Sequence, residues 1–190
     1  MCGIAGLIWK GGVSSDIGTE MTEMLQALKH RGPDSTGFAL YGKAQKGVQI
    51  LRFKVAEQEE MRTGFDIHRQ VVERREAVEA RLQEMGAKIT DKEEATEYAF
   101  RYHFKFDGDL KRLIDYIEDI DSVEILSVGT ALELIKDLGD ATMVSEQYGL
   151  KGFQGTHAIG HTRMATESDV DIPLTLILNN FTAFMSYFII

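Results

Sequence analysis

Cysteine is nearly absent from this chain: Cys2 is the only one in 190 residues. A single thiol excludes an internal disulfide framework and any multi-cysteine metal site, and it fits a reducing compartment. An excess of positive charge is also missing. Lysine and arginine total 21 against 30 aspartates and glutamates, a formal net charge of −9. That balance repels a phosphate backbone and argues against nucleic acid as a partner. No export signal is legible, because the apolar run from Ile4 to Trp9 is short and no basic residue precedes it. Glycine stands at position 3 rather than 2, so the N-myristoylation pattern is lacking too. There is no internal repeat and no low-complexity tract. What remains is a cytoplasmic globular protein. Its 44% apolar residues can build one sizeable core, with room for a smaller appended unit.

Periodicity supplies the elements. Residues 3–9 read as a buried strand closed by Lys10-Gly11-Gly12. Met21, Met24, Leu25 and Leu28 recur at helical spacing, which predicts a helix over 17–29 that stops at Gly32-Pro33. Gly37 to Leu40 and Val48 to Val55 read as two strands joined by a Gly/Lys turn. A long amphipathic helix is expected from about 57 to 87, with Val71, Val78, Leu82, Met85 and Ile89 as its apolar stripe. Tyr98, Phe100, Tyr102, Phe104 and Phe106 then alternate with Ala99, Arg101, His103 and Lys105. This is a strand with one aromatic and one mostly basic face. Interleaved aromatic and basic residues can bind nucleic acid. The acidic balance favours a core face packed on the helix at 110–117, with the basic face solvated. A strand at 123–128 and a helix at 131–138 complete an expected α/β subdomain within about 57–148.

The first residues carry the first chemical signal. A small residue after the initiator allows Met1 to be removed. Cys2 would then bear a thiol (pKa ~8.5) and a free α-amine (pKa ~7.7–8.0), a nucleophile and a base of matched basicity on one residue. The plain alternative is a buried, inert cysteine. His157 and His161 lie four apart, but in a strand this puts them on the same face and far separated. Without a third ligand they argue against a metal site, and the chemistry read here requires neither metal nor cofactor.

Three blocks stand in order: Met1-Cys2-Gly3-Ile4-Ala5-Gly6, His30-Arg31-Gly32-Pro33-Asp34-Ser35-Thr36-Gly37, and Gly160-His161-Thr162-Arg163-Met164-Ala165-Thr166. Together they resemble the class II glutamine amidotransferases, glutaminase domains of the N-terminal-nucleophile (Ntn) hydrolase fold. The stretch at 57–148 and the methionine of the third block make the chain most similar to the glutamate-synthase-like amidotransferase subunits. The resemblance implies an α+β fold, a four-layer αββα sandwich with an inserted α/β subdomain. It also implies L-glutamine as substrate, Cys2 as nucleophile, and a separate synthase subunit that accepts ammonia. Arg163 is the candidate clamp for the glutamine α-carboxylate, since a guanidinium can hold a carboxylate through two parallel bonds. Thr162 and Thr166 flank it with hydroxyls, and the resemblance implies contacts from Thr166 and the Met164 backbone. Arg31 and His161 stand as supporting residues. For Arg31, local support and substrate contact remain equally open, while Asp34 and Ser35 read as capping and turn residues.

The pattern breaks after Arg163. The family builds its oxyanion hole on an Asn-Gly pair preceded by a His-Pro element, and no His and no Gly follow Arg163. Residues 172–190 carry no charge at all. The expectation is an amidotransferase domain over 2–190, incomplete at its C-terminal end, with the apolar tail produced by a shifted reading frame or a cut gene. An ordinary buried pair of strands is one rival. A membrane anchor is another, because nineteen uncharged residues nearly reach the ~20 needed to span a bilayer. Pro173, Asn179, Asn180 and the lack of flanking basic residues argue against it.

Overall fold

The computed structural model describes residues 2–12 and 14–164. Met1, Thr166 and the apolar stretch 172–190 lie outside the described residues. In chain order the elements are β1 (Gly3–Ile8), β2 (Ser15–Asp16), α1 (Ile17–Ala27), β3 (Ser35–Gly42), β4 (Gln49–Lys54), α2 (Gln58–Thr63), α3 (Ile67–Glu84), β5 (Lys88–Glu94), β6 (Ala99–Lys105), α4 (Leu110–Glu118), β7 (Glu124–Gly129), β8 (Leu132–Leu138), α5 (Ala141–Gln147) and β9 (Gln154–Arg163). The first sheet runs β1-β9-β3-β8, with β2 also pairing β9; the second runs β5-β6-β4-β7. Every pairing is antiparallel.

On the first sheet, α1 buries Ile17, Met21 and Leu25 completely. They belong to the same core as Phe38, Leu40 and Ala158 of the sheet. Asp16 starts this helix by accepting the Thr19 backbone N–H at 3.0 Å, which satisfies one of the donors a helix start leaves open. Helix α5 starts the same way, with Asp140 accepting from the Met143 N–H at 3.0 Å. The Thr22 and Ser145 hydroxyls share a hydrogen bond at 2.9 Å that joins the two helices.

On the second sheet, Leu51 and Phe53 share a face with Phe100, Tyr102 and Phe104, opposite which Arg52 pairs with Arg101 in the ladder. Val71, Val78 and Leu82 of α3 and Leu113 and Ile117 of α4 complete this part of the core. Arg81 donates to the Tyr116 carbonyl and ties α3 to α4. Charge joins the sheets. Glu133 of β8 accepts from Arg52 at 2.6 Å and from Arg101 at 2.7 and 2.8 Å. Asp137 lies 3.3 Å from Lys54 and accepts the Tyr98 and Tyr148 hydroxyls at 2.8 and 2.6 Å.

Several expectations need correction. The segment 131–138 is strand β8, not a helix. Its buried positions alternate Glu133, Ile135, Asp137, and two acids in a buried row hid the period of two. The expected helix 57–87 is two helices. Gly64 closes α2 with its N–H on the Glu60 carbonyl, Phe65 is exposed, and Asp66 takes a left-handed φ of 63° before α3 begins. Ile89 falls in β5, an edge strand rich in charge, held through Lys92–Glu79, Arg75–Glu94 and Arg101–Glu93 pairs. Strands β3 and β4 form where expected, and the turn between them carries the chain from one sheet to the other. Among the described residues β1 is an edge strand rather than a buried one, with Ile4 64% and Ile8 74% exposed. The basic face of β6 is solvated only at Lys105, because His103 is buried and Arg101 is held by Glu133. The stretch 57–148 contributes β5, β6 and β7 to the second sheet and β8 to the first.

Candidate active site

Strand β9 organises the site. It lies between β1 and β3, and its last residues meet the starts of both. Gly3 pairs with Thr162, while Thr36 pairs with Thr162 and Ser35 with Arg163. The Asp34 N–H donates to the Arg163 carbonyl at 3.1 Å. Cys2 immediately precedes the paired Gly3, and Arg163 immediately follows its partner Thr162. Cys2 is exposed and free, so the alternative of a buried, inert thiol is set aside.

The middle block reaches the same place. Helix α1 ends, Lys29–Arg31 forms a single tight turn, and Gly32 follows against the Arg163 backbone. A Cβ on Gly32 would lie 2.5 Å from the Arg163 carbonyl carbon and 2.6 Å from its nitrogen. No real side chain tolerates such contacts, so this approach demands glycine. The same holds at Gly3, where a Cβ would come within 2.9 Å of the Thr162 hydroxyl. Two glycines thus allow three chain segments to converge at one end of the first sheet.

Side-chain directions divide the third block. Thr162 is buried, and its hydroxyl has no hydrogen-bond partner among the described residues. Strand alternation sends His161 and Arg163 to the opposite face. Burial, and then the Arg163 charge, hold the His161 imidazole below its ordinary pKa. It is therefore uncharged at neutral pH. Met164 lies just past the strand and is 37% exposed. Arg31 is exposed in its turn.

His157 does not join this end of the sheet. Its ring stacks on Tyr41 with centroids 3.9 Å apart, and Thr156 Oγ1 lies 2.9 Å from its Nδ1. Neither His157 nor His161 belongs to a metal-type cluster among the described residues.

Sequence reasoning missed Gly3 and Gly32 as site residues. A glycine beside each block was the only available signal, and the close approach it permits appears only in three dimensions. No helix among the described residues is long and apolar enough to cross a membrane.

Comparison with known proteins bears on this geometry. Over 175 residues the chain is 37% identical to a protein of Methanothermobacter thermautotrophicus provisionally named as a glutamine amidotransferase. The chain is related to proteins named glutamine amidotransferases. A second relative, the glutamine amidotransferase-like protein GlxB of Rhizobium meliloti, is 31% identical over 172 residues. Each match covers 90% of this chain but only 54% and 52% of the relatives. The chain thus spans about half the length of the curated relatives it matches. No family model matches it.

Proposed function

We propose that this chain is the glutaminase part of a class II glutamine amidotransferase, most like the glutamate-synthase-like subunits. The observation that carries the reading is the convergence of three sequence blocks at one end of β9. Exposed Cys2 precedes Gly3, Gly3 pairs with Thr162, and Gly32 packs on the Arg163 backbone. The relatives' names support the amidotransferase class. The two antiparallel sheets, each carrying helices, support an Ntn-hydrolase αββα fold with residues 57–148 as its inserted part.

In this reading Met1 is removed and the Cys2 α-amine accepts the thiol proton. The thiolate attacks the carboxamide carbon of glutamine. The amine returns the proton to the departing nitrogen, ammonia leaves, and a glutamyl thioester remains. Water hydrolyses the thioester to glutamate and restores the thiol. Arg163 clamps the α-carboxylate, assisted by Thr166 and the Met164 backbone. Ammonia passes to a synthase partner. No metal or cofactor enters these steps.

A second reading is a glutamine-binding module without turnover. It uses the same convergence of Cys2, Gly32 and Arg163 but stops before the thioester step. Ammonia release from glutamine, compared with Cys2→Ala, separates the two. Release that disappears in C2A supports the enzyme. Glutamine binding without release supports the module. Neither binding nor release overturns both.

A further inference from the structure

The geometry points to a site for a divalent transition ion on the second sheet, made by Asp91 and Glu93 of β5 and His103 of β6. The ladder pairs Asp91 with His103 and Glu93 with Arg101. A register shift between Ile89 and Asp91 sits at the start of this group, and irregularities of this type often re-aim side chains beside sites. One donor atom from each of the three residues lies within 4.8 Å of the others.

The independent signal is His103. The residue is only 8% exposed, and its Nδ1 is buried with no hydrogen-bond partner among the described residues. Buried ring nitrogens are rarely left so. The nearest carboxylate oxygen, Asp91 Oδ2, is 3.6 Å away, beyond hydrogen-bond length. Two ligands held at about 2.1 Å on one tetrahedral ion sit about 3.4 Å apart. The observed gap is close to the spacing that an ion between the two atoms would set.

Arg101 does not compete for the site. It is anchored by two bonds to Glu133, which also holds Arg52. Its 2.7 Å bond to Glu93 Oε1 orients that carboxylate and leaves the other oxygen for the ion. Such an outer contact is what fixes metal-ligating side chains elsewhere. Asp91 and Glu93 are exposed, so the ion enters from solvent, and positions outside the three protein ligands go to water. An imidazole with two carboxylates suits zinc, cobalt or nickel rather than calcium. The ion would clip edge strand β5 to β6.

The test is cobalt(II) and zinc(II) binding by the full chain carrying Cys2→Ala, which removes the competing thiol. Equilibrium dialysis gives stoichiometry, and the visible cobalt spectrum reports coordination. The expected result is one ion per chain. Affinity falls tenfold or more in Asp91→Asn and in Glu93→Gln, two exposed and isosteric changes that spare the fold. Zinc raises the thermal midpoint of the parent but not of Asp91→Asn. Absence of saturable uptake overturns the proposal. So does uptake that Asp91→Asn and Glu93→Gln leave unchanged, because the ion then sits elsewhere.

Discussion

A methyl group at Gly32 would collide with the Arg163 backbone, whereas one at Gly129 meets nothing within 4 Å. Gly32→Ala is therefore expected to lose ~1–3 kcal/mol of stability by overpacking, and Gly129→Ala to stay within ~0.5 kcal/mol. Urea unfolding of the pair checks this difference. His161 gives a second residue-scale expectation. Burial and Arg163 hold its folded pKa below the ordinary value. The sign follows: its neutral form contributes stability above the unfolded value near ~6.5, and that contribution is lost as pH falls through the folded pKa. His161→Asn should flatten the decline in thermal midpoint between neutral and mildly acidic pH. An unaltered slope would show that the imidazole is not held neutral there.

Strand β8 decides the arrangement of elements, because its acids connect the sheets. Burial pushes the Glu133 carboxyl up, but hydrogen bonds from Arg101 and the Arg52 charge outweigh this and leave it below the ordinary range. Removing it strands the buried Arg52 guanidinium and leaves Arg101 with Glu93 alone. Glu133→Ala should cost ~3–5 kcal/mol, read from chemical unfolding. A loss under 1 kcal/mol would show that water reaches the pair. The same strand shows what the sequence could and could not disclose. Helix α1, strand β6 and helix α4 were legible because one face of each is apolar and the period is unmixed. Strand β8 was not, since its buried row is Glu133, Ile135, Asp137 and the cations that face these acids, Arg52, Lys54 and Arg101, lie on the other sheet. Strand β5 hid for a similar reason: an edge strand of charges looks like the polar side of a helix. At the site, Cys2, Arg163 and Arg31 were legible as motif residues. The contact of Gly32 with Arg163 was not, because it joins segments over a hundred residues apart.

Over the whole molecule, pH should limit stability from both sides. Tyr98, Tyr102 and Tyr148 have hydroxyl pKa values raised first by burial; Asp137 adds to this for Tyr98 and Tyr148, and Glu79 for Tyr102. A raised folded value means that their stabilisation is complete below the unfolded value near ~10 and is lost as pH rises past it. Glu133 and Glu79, with lowered values, give the opposite arm, lost as pH falls below ~4.3. Calorimetry across pH should therefore show a plateau that falls away at both ends, with Tyr148→Phe easing the alkaline arm. The site occupies one end of the first sheet within this frame, and its central claim is that Cys2 and Arg163 act on one glutamine. Intact-mass analysis after treatment with a diazoketone analogue of glutamine tests that claim most directly. The expected product lacks Met1 and carries a single adduct on Cys2, which excess glutamine blocks and Arg163→Ala abolishes. A chain that retains Met1, or an adduct indifferent to both glutamine and Arg163, would contradict it.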